Sequence, residues 1–477
     1  MLIALHVSAN TEEVEVNNLR YTIDKEFMTA EVTEFTYVYN EFEYDEDAGN
    51  ITVPQTIDYD GQTYTVTSIG EYAFNQDRYQ TNITAINLPP TVTTIKYRAF
   101  SGCYLNKPLI LPEGLESIGE EAFRTFGGQR SLTIPSSVKE IGQAAFTNCY
   151  LDSVTIACPI TAIPDYMFNG SPSLYVVVLP STVEVIGDVA FGSCKYLHSI
   201  NLPDNLKTIG EGAFSGCRRR LKSIVIPESV TMIKDGAFTS CESLVSITIP
   251  EGITEVRKRT FSGCWALKTV SLPSTLKTIG QGAFKDCLVT DIYCYAQIPP
   301  YVDSKAFTYN RNYEGIESTL PKVTTLHVPE SAIGNYKSYA YTPWPYCKNI
   351  VTVADVEPTP QPEPKKCATP TIAMTEDGIR FDCETEGAEC FYKVRADITQ
   401  DYTAGNTLNI QATSISCTVT VYAKAPGYED SDSLSKTLTL PISLICQGGG
   451  DIDGDGELTI SDVTRLIEQY LRIGSNM

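Results

Sequence analysis

A phenylalanine returns along this chain with a period close to 23. Phe74, Phe100, Phe123, Phe146, Phe168, Phe191, Phe214, Phe238, Phe261, Phe284 and Phe307 are separated by 26, 23, 23, 22, 23, 23, 24, 23, 23 and 23 residues. The phrase around it varies little: "IGEEAF" at Ile118, "IGQAAF" at Ile141, "IGDVAF" at Ile186, "IGEGAF" at Ile209, "IGQGAF" at Ile279. Self-similarity at a period of 20–50 residues marks a stack of like coils. The unit "LVSITIPEGITEVRKRTFSGCWA", Leu244 to Ala266, shows how one coil is built. "SITIP" alternates small polar with β-branched residues, the pattern of a strand with one buried face. Pro250 ends it by withholding a backbone donor. "ITEV" is a second short apolar piece on another side of the coil, and "TFSGC" turns the chain back. One such unit cannot bury its apolar face, but stacked units can. Ile247, Ile249, Ile253, Val256, Phe261 and Cys264 are expected to point inward. Phe307, in "VDSKAF", reads as a degenerate last member.

Cysteine follows the repeat. Cys103, Cys149, Cys194, Cys217, Cys241, Cys264 and Cys287 each stand three residues after a repeat phenylalanine, and Phe126 and Ser171 fill the slot where cysteine lapses. A disulfide scheme would not tolerate such gaps freely. These cysteines are expected to be buried thiols acting as small hydrophobes, although the odd total of 15 would by itself raise the question of disulfides.

The pattern "SIxIPxxVxxIGxxAFxxC" resembles the BspA-like leucine-rich repeat family over about residues 62 to 350. "ITVPQTIDYDGQTYTVTSIGEYAF" is similar to that family's opening unit, and "LHVPESAIGNYKSYAYTPWPYCKNIVTV" to its closing one. The resemblance implies a secreted or cell-surface protein used in adhesion or binding, with a host or microbial surface protein or a glycan as partner. Periodicity alone implies only the solenoid: about 11 coils of ~23 residues.

The surface follows from the same pattern. Between the buried strand positions lie Asn87, Ile110, Thr133, Thr155, Val178, Asn201, Val225, Thr248, Ser271 and Tyr293, preceded by Ser131, Ser153, Ser199, Ser223, Ser246 and Thr269. This face is small, flat and nearly uncharged. It suits a protein or glycan ligand, and equally it keeps a parallel sheet regular. At about 4.8 Å per coil it is expected to run as one sheet roughly 50 Å long. Two basic clusters interrupt an acidic chain. Arg218–Arg220 sits in a repeat with one extra residue and should bulge from a turn; Arg257–Arg259 lies on a different side. They are a glycosaminoglycan site or solvated turns. Tyr104, Tyr150 and Trp265 each follow a ladder cysteine as a candidate aromatic row.

The net charge of −22 argues against nucleic acid and anionic lipid, both of which call for lysine and arginine. No apolar run of 18 residues is present, so no membrane insertion is expected. The histidines are His6, His198 and His327, far apart in sequence, and no nucleophile–base grouping, phosphate loop or zinc set can be assembled. The chain is expected not to be an enzyme.

Residues 1–9, "MLIALHVSA", read as a signal-peptide remnant or a disordered end, and 10–61 as an N-terminal β cap. The solenoid with its closing unit takes 62–353. "ADVEPTPQPEPKK", 354–366, is a proline-rich spacer. Residues 367–441 alternate as strands at all-β spacing. Through "GAECFYKV" and "VYAKAPGYEDS" they resemble the immunoglobulin-like domain of chitobiase-type glycosidases, which implies a small β-sandwich serving as a spacer. Cys383, Cys390 and Cys417 fall on its inward alternation, leaving room for one disulfide.

After a linker at 442–450 comes "DIDGDGELTISD", which has calcium-loop spacing. Asp451, Asp453 and Asp455 supply positions 1, 3 and 5, Gly456 the turn, the Glu457 carbonyl position 7 and Asp462 position 12. Carboxylates this close repel one another without a cation, so Ca2+ is the expected ligand. Val463, Leu466, Ile467, Tyr470 and Leu471 then form one apolar helical stripe. Aspartate at position 12 makes 451–477 resemble a type I dockerin, which implies a cohesin-like receptor through Ile460 and Ser461. A dockerin has two loop–helix repeats, and here there is one. The leading expectation is an extracellular or cell-surface binding protein, and the alternative a non-catalytic component docked onto a polysaccharide-degrading assembly.

Overall fold

The computed structural model describes residues 10–36, 49–76, 83–308, 325–338 and 347–353 with their side chains, and within 365–441 the backbone of several strands. The chain divides into two compact units, Met1–Thr359 and Pro360–Met477.

The first unit opens with antiparallel strands Thr11–Val16, Leu19–Asp24 and Thr29–Phe35. Gln62–Ile69 joins this cap to the coils: it pairs with Thr29–Phe35 on one side and Thr94–Ile95 on the other. From there the pairing is parallel, coil on coil. A short second row continues through Ser117–Ile118 and Glu140–Ile141, then in separate groups through Ala162–Ile163 to Met232–Ile233 and Glu255–Val256 to Tyr301–Val302. The main row holds the alternating strands, among them Ser131–Ile134, Ser153–Ile156, Val176–Val178, Ser246–Thr248 and Thr269–Leu272. The far end is closed by Thr325–Pro329, paired between Asp291–Cys294 and Asn349–Val353, and by the helix Ile333–Ser338. The Tyr336 hydroxyl of that helix donates to the Ala296 carbonyl at 2.9 Å from within the core.

Inside, the period becomes a column. Successive phenylalanine rings from Phe74 to Phe307 stack with centroids 5.0–5.7 Å apart and ring planes within 21° of parallel. Phe307 therefore continues the column, stacked on Phe284 at 5.1 Å, rather than marking its decay. Ile247, Ile249, Ile253, Val256, Phe261 and Cys264 are all buried as expected.

The cysteines do more than fill space. Cys103, Cys149, Cys194, Cys217, Cys241, Cys264 and Cys287 each lie with Sγ 2.9–3.3 Å from the carbonyl of the preceding coil, at Phe74, Phe123, Phe168, Phe191, Phe214, Phe238 and Phe261. The thiol donates, so the cysteine is a small side chain that also satisfies a buried acceptor. Ser171 repeats the contact with a hydroxyl, to Phe146 at 3.2 Å, which explains why serine is admitted to the slot. The ten described cysteines are free thiols, and burial pushes the thiols at 149, 194, 217, 241, 264 and 287 above their ordinary value.

Each coil from Phe100 to Phe284 also passes twice through left-handed backbone, two residues before and two after the phenylalanine. Val189 (φ 56°) and Ser193 (φ 58°) flank Phe191, and Gly212 and Gly216 flank Phe214. A β-branched residue such as Val189 is strained there and a glycine is not.

The main row is not one sheet. It is broken at two places, Leu109–Leu111 and Leu221–Ile226. At the first, Pro108 stands where the next coil has Ser131, and a proline brings no ladder donor. The Gln129 side chain takes over part of the pairing, accepting from the Leu109 amide at 2.6 Å. The second break follows the inserted arginine.

In the second unit, Glu389–Asp397, Ser414–Lys424 and Leu434–Pro441 form an antiparallel sheet and Thr371–Thr375 pairs with Gly378–Asp382. The proposed sandwich thiols have no described side chains. The calcium loop, with Asp451, Asp453, Asp455, Glu457 and Asp462, lies outside the described residues.

Candidate binding cleft

The turn after each ladder cysteine is normally short. In the coils of Cys194, Cys241 and Cys264 a leucine follows three residues later, at Leu197, Leu244 and Leu267, and its amide donates to the cysteine carbonyl at 3.1 Å. After Cys217 the leucine comes four residues later, at Leu221. Among the described residues that closing bond is missing from this coil. The Arg219 amide instead donates to the Lys195 carbonyl of the coil before at 3.0 Å, and the Ser243 hydroxyl of the coil after donates to the Arg218 carbonyl at 2.8 Å. The extra residue thus bulges outward and is tied down from both sides, with Arg218, Arg219 and Arg220 all exposed.

Beside the bulge lies an open cleft of about 630 Å³ lined by Tyr196, Arg218, Arg219, Arg220, Glu242, Ser243 and Trp265. These residues come from four consecutive coils at equivalent turn positions. Their charges are unevenly matched. Arg218 faces Glu242 at 3.6 Å. Arg219 lies over the Tyr196 ring, its guanidinium carbon 5.4 Å from the centroid, and its Nη1 donates to the Tyr196 hydroxyl at 3.2 Å. Such stacking orients a guanidinium without neutralising it. Neither Arg219 nor Arg220 has a carboxylate partner among the described residues. Trp265, 39% exposed, also lines it.

The other sequence-derived candidates fall elsewhere. Tyr104 and Tyr150 are exposed and meet edge to face at 6.4 Å, with Gly127 of the intervening coil beneath them. Trp265 is five coils beyond Tyr150 and belongs to the cleft, so the expected single aromatic row is two separate groups. Arg257 approaches Glu255 at 3.9 Å and does not line the cleft. No group of three or more metal-ligating side chains occurs among the described residues. No described helix is long and apolar enough to cross a membrane.

Coil period, inward phenylalanine and parallel pairing define a leucine-rich-repeat solenoid. The family model described as "BspA type Leucine rich repeat region (6 copies)" matches residues 40–175 and 161–290, and the chain belongs to that family. Among solved structures it is similar to a leucine-rich repeat protein from Bacteroides ovatus ATCC 8483, at 24% identity and a TM-score of 0.46, covering 71% of this chain and 99% of that one. It is also similar to a leucine rich cell surface protein from Faecalibacterium prausnitzii A2-165, at 22% identity and a TM-score of 0.43, covering 72% and 95%. No curated protein matches the chain.

Proposed function

We propose that this is a non-catalytic binding protein of the cell surface or extracellular space, which recognises a protein or glycan through the turns and outward strand face of its solenoid. The observation that carries the reading is the contrast between a fully committed interior and an exposed surface at the inserted turn. Family membership supports it, as does the surface association in the name of the Faecalibacterium relative. Probing arrays of matrix proteins and glycans with the whole chain tests it. Saturable binding of one class that survives removal of residues 360–477 supports a solenoid ligand, and binding that disappears with those residues overturns it.

For the tail we propose one calcium ion held by Asp451, Asp453, Asp455, the Glu457 carbonyl and Asp462. The support is the spacing of oxygen donors and the glycine at position 6. Calcium titration followed by circular dichroism of the whole chain and its Asp453→Ala variant is the check: helical gain at millimolar calcium in the parent alone is expected. The same spacing supports a second reading, a component docked onto a polysaccharide-degrading assembly. Calcium-dependent capture by a cohesin-type receptor would support that docking, and its absence in calcium-loaded protein would remove it.

A further inference from the structure

We propose that the cleft of Tyr196, Arg219, Arg220, Glu242 and Trp265 binds an acidic sugar residue, a pyranose carrying a carboxylate or a sulfate, within a short oligosaccharide. The proposal rests on the reading of the solenoid as a binding surface and gives it a site and a ligand chemistry.

Three observations converge. The first is charge without compensation. The chain has 58 acidic residues against 36 basic ones, so partners for exposed arginines are plentiful. Yet three consecutive arginines are held on one bulge, and of these Arg218 alone has a described carboxylate partner. Adjacent guanidinium groups repel, and the hydrogen bonds from the Arg219 amide to the Lys195 carbonyl and from the Ser243 hydroxyl to the Arg218 carbonyl hold their turn in place. An oxyanion between Arg219 and Arg220 relieves that repulsion, and a guanidinium fork matches a carboxylate or sulfate in two parallel bonds. The second is the pair of aromatic residues in the lining. Tyr196 is occupied in setting the angle of Arg219, and the part-exposed Trp265 lines the same depression. An indole face accepts the C–H face of a pyranose. The third is Glu242, a carboxylate among cations. It would repel a second acidic group but accepts hydrogen bonds from hydroxyls, which a sugar has in number.

The depression is largely open to solvent, so it would hold one face of a sugar and not enclose it. An acidic peptide fits less well, because it offers Glu242 few donors and Trp265 no flat apolar face.

The test titrates the whole chain with three disaccharides, one ending in a uronic acid, one sulfated and one neutral, with a hexaglutamate peptide as the competing chemistry. Binding is read by calorimetry and by Trp265 fluorescence, with Trp265→Phe as the assignment control. At least one acidic disaccharide should bind tenfold or more tightly than the neutral one. Arg219→Gln/Arg220→Gln, with an unchanged melting temperature, should abolish that preference, and Trp265→Ala should weaken both acidic and neutral sugars. Affinity should fall with added salt. Which acidic sugar binds separates carboxylate from sulfate. The proposal is overturned by equal binding of neutral and acidic sugars, by binding unaffected in the double arginine variant, by tighter binding of hexaglutamate, or by no acidic disaccharide binding at 10 mM, a generous ceiling on the millimolar scale of weak affinities. If the arrays find a solenoid ligand that ignores the arginine variant, the cleft assignment fails and the binding-protein reading stands.

Discussion

The coil that starts at Phe214 and the one that starts at Phe238 differ by one inserted residue, and the consequences stay on one side of the protein. Within the core the two are alike. Phe214 stacks on Phe238 at 5.3 Å and 4°, and Phe238 on Phe261 at 5.4 Å and 5°. Cys217 and Cys241 each reach the carbonyl of the preceding coil at 3.3 Å. Outside, the inserted coil loses its closing turn bond, leaves the strand ladder over Leu221–Ile226 and opens a cleft. The interior columns fix the coil, while the turn can lengthen. In a solenoid this separates stability from recognition, because each coil contacts mainly its neighbours.

The largest effect expected from this arrangement is alkaline. Buried thiols have folded values raised above the unfolded one, so the neutral thiol favours the fold. That contribution is complete below the unfolded value near 9 and is lost as pH rises toward the folded values. Each such thiol should weaken the fold progressively as the pH rises above its unfolded value. With Cys149, Cys194, Cys217, Cys241, Cys264 and Cys287 acting together, denaturant midpoints should fall steeply between pH 9 and 10. A flat profile there would mean that the ladder is not buried as thiols. Cys217 should resist alkylation in the native protein as well as Cys241 does, despite the neighbouring bulge.

Next in size is the aromatic column. Phe238→Ala and Phe214→Ala should each destabilise by about 3–5 kcal/mol. Their equality is the informative part: a clearly milder Phe214→Ala would show that the insertion loosens the core beneath it. The column was legible because a repeat period places one residue type at one depth in every coil. The left-handed positions were not, because residues as different as Tyr72, Arg98, Glu121 and Val189 occupy them. The glycines at 212, 236 and 282 before the phenylalanine, and at 102, 170, 216 and 263 after it, hinted that backbone shape, rather than side chain, defines the site.

Smaller again is the cysteine bond. Cys241→Ala removes a sulfur and a donor and should cost about 1–2 kcal/mol, since the Phe214 carbonyl keeps its bond from the Cys217 amide. Cys241→Ser should retain part of the donation and cost less than Ala; a serine variant less stable than alanine would assign the position to packing alone. Hydropathy could not separate a thiol that packs from one that donates. Ser171 carried the signal, since a hydroxyl in a dry slot needs an acceptor. The cleft was half legible in the same way. The bulge of Arg218–Arg220 followed from counting residues between cysteine and leucine. Trp265 was grouped with Tyr104 and Tyr150 by its place after a cysteine, although the coil count puts it two coils from Arg218. The breaks in the sheet depend on which backbone donors find partners, and side-chain alternation does not record that.

The smallest change in stability should come from the edit that most directly erases the difference between the coils. Deleting Arg220 restores the three-residue step from cysteine to leucine seen at Cys241–Leu244. No buried side chain is lost, because the three arginines are exposed, and Leu221, already buried, keeps its inward place. Repulsion among the arginines falls, while the Arg219–Tyr196 contact stays within reach. The net effect should therefore lie within about ±0.5 kcal/mol, as for surface changes away from special features. The local effect should be larger than the global one. With the normal step restored, Ser223–Ile226 can take up the register that Ser246–Thr248 holds against Thr269–Ser271, so amide exchange at Ile224 and Ile226 should slow and the cleft should narrow. Faster exchange there, or a loss of several kcal/mol, would show that the inserted residue is built into the coil and is not an addition to its turn.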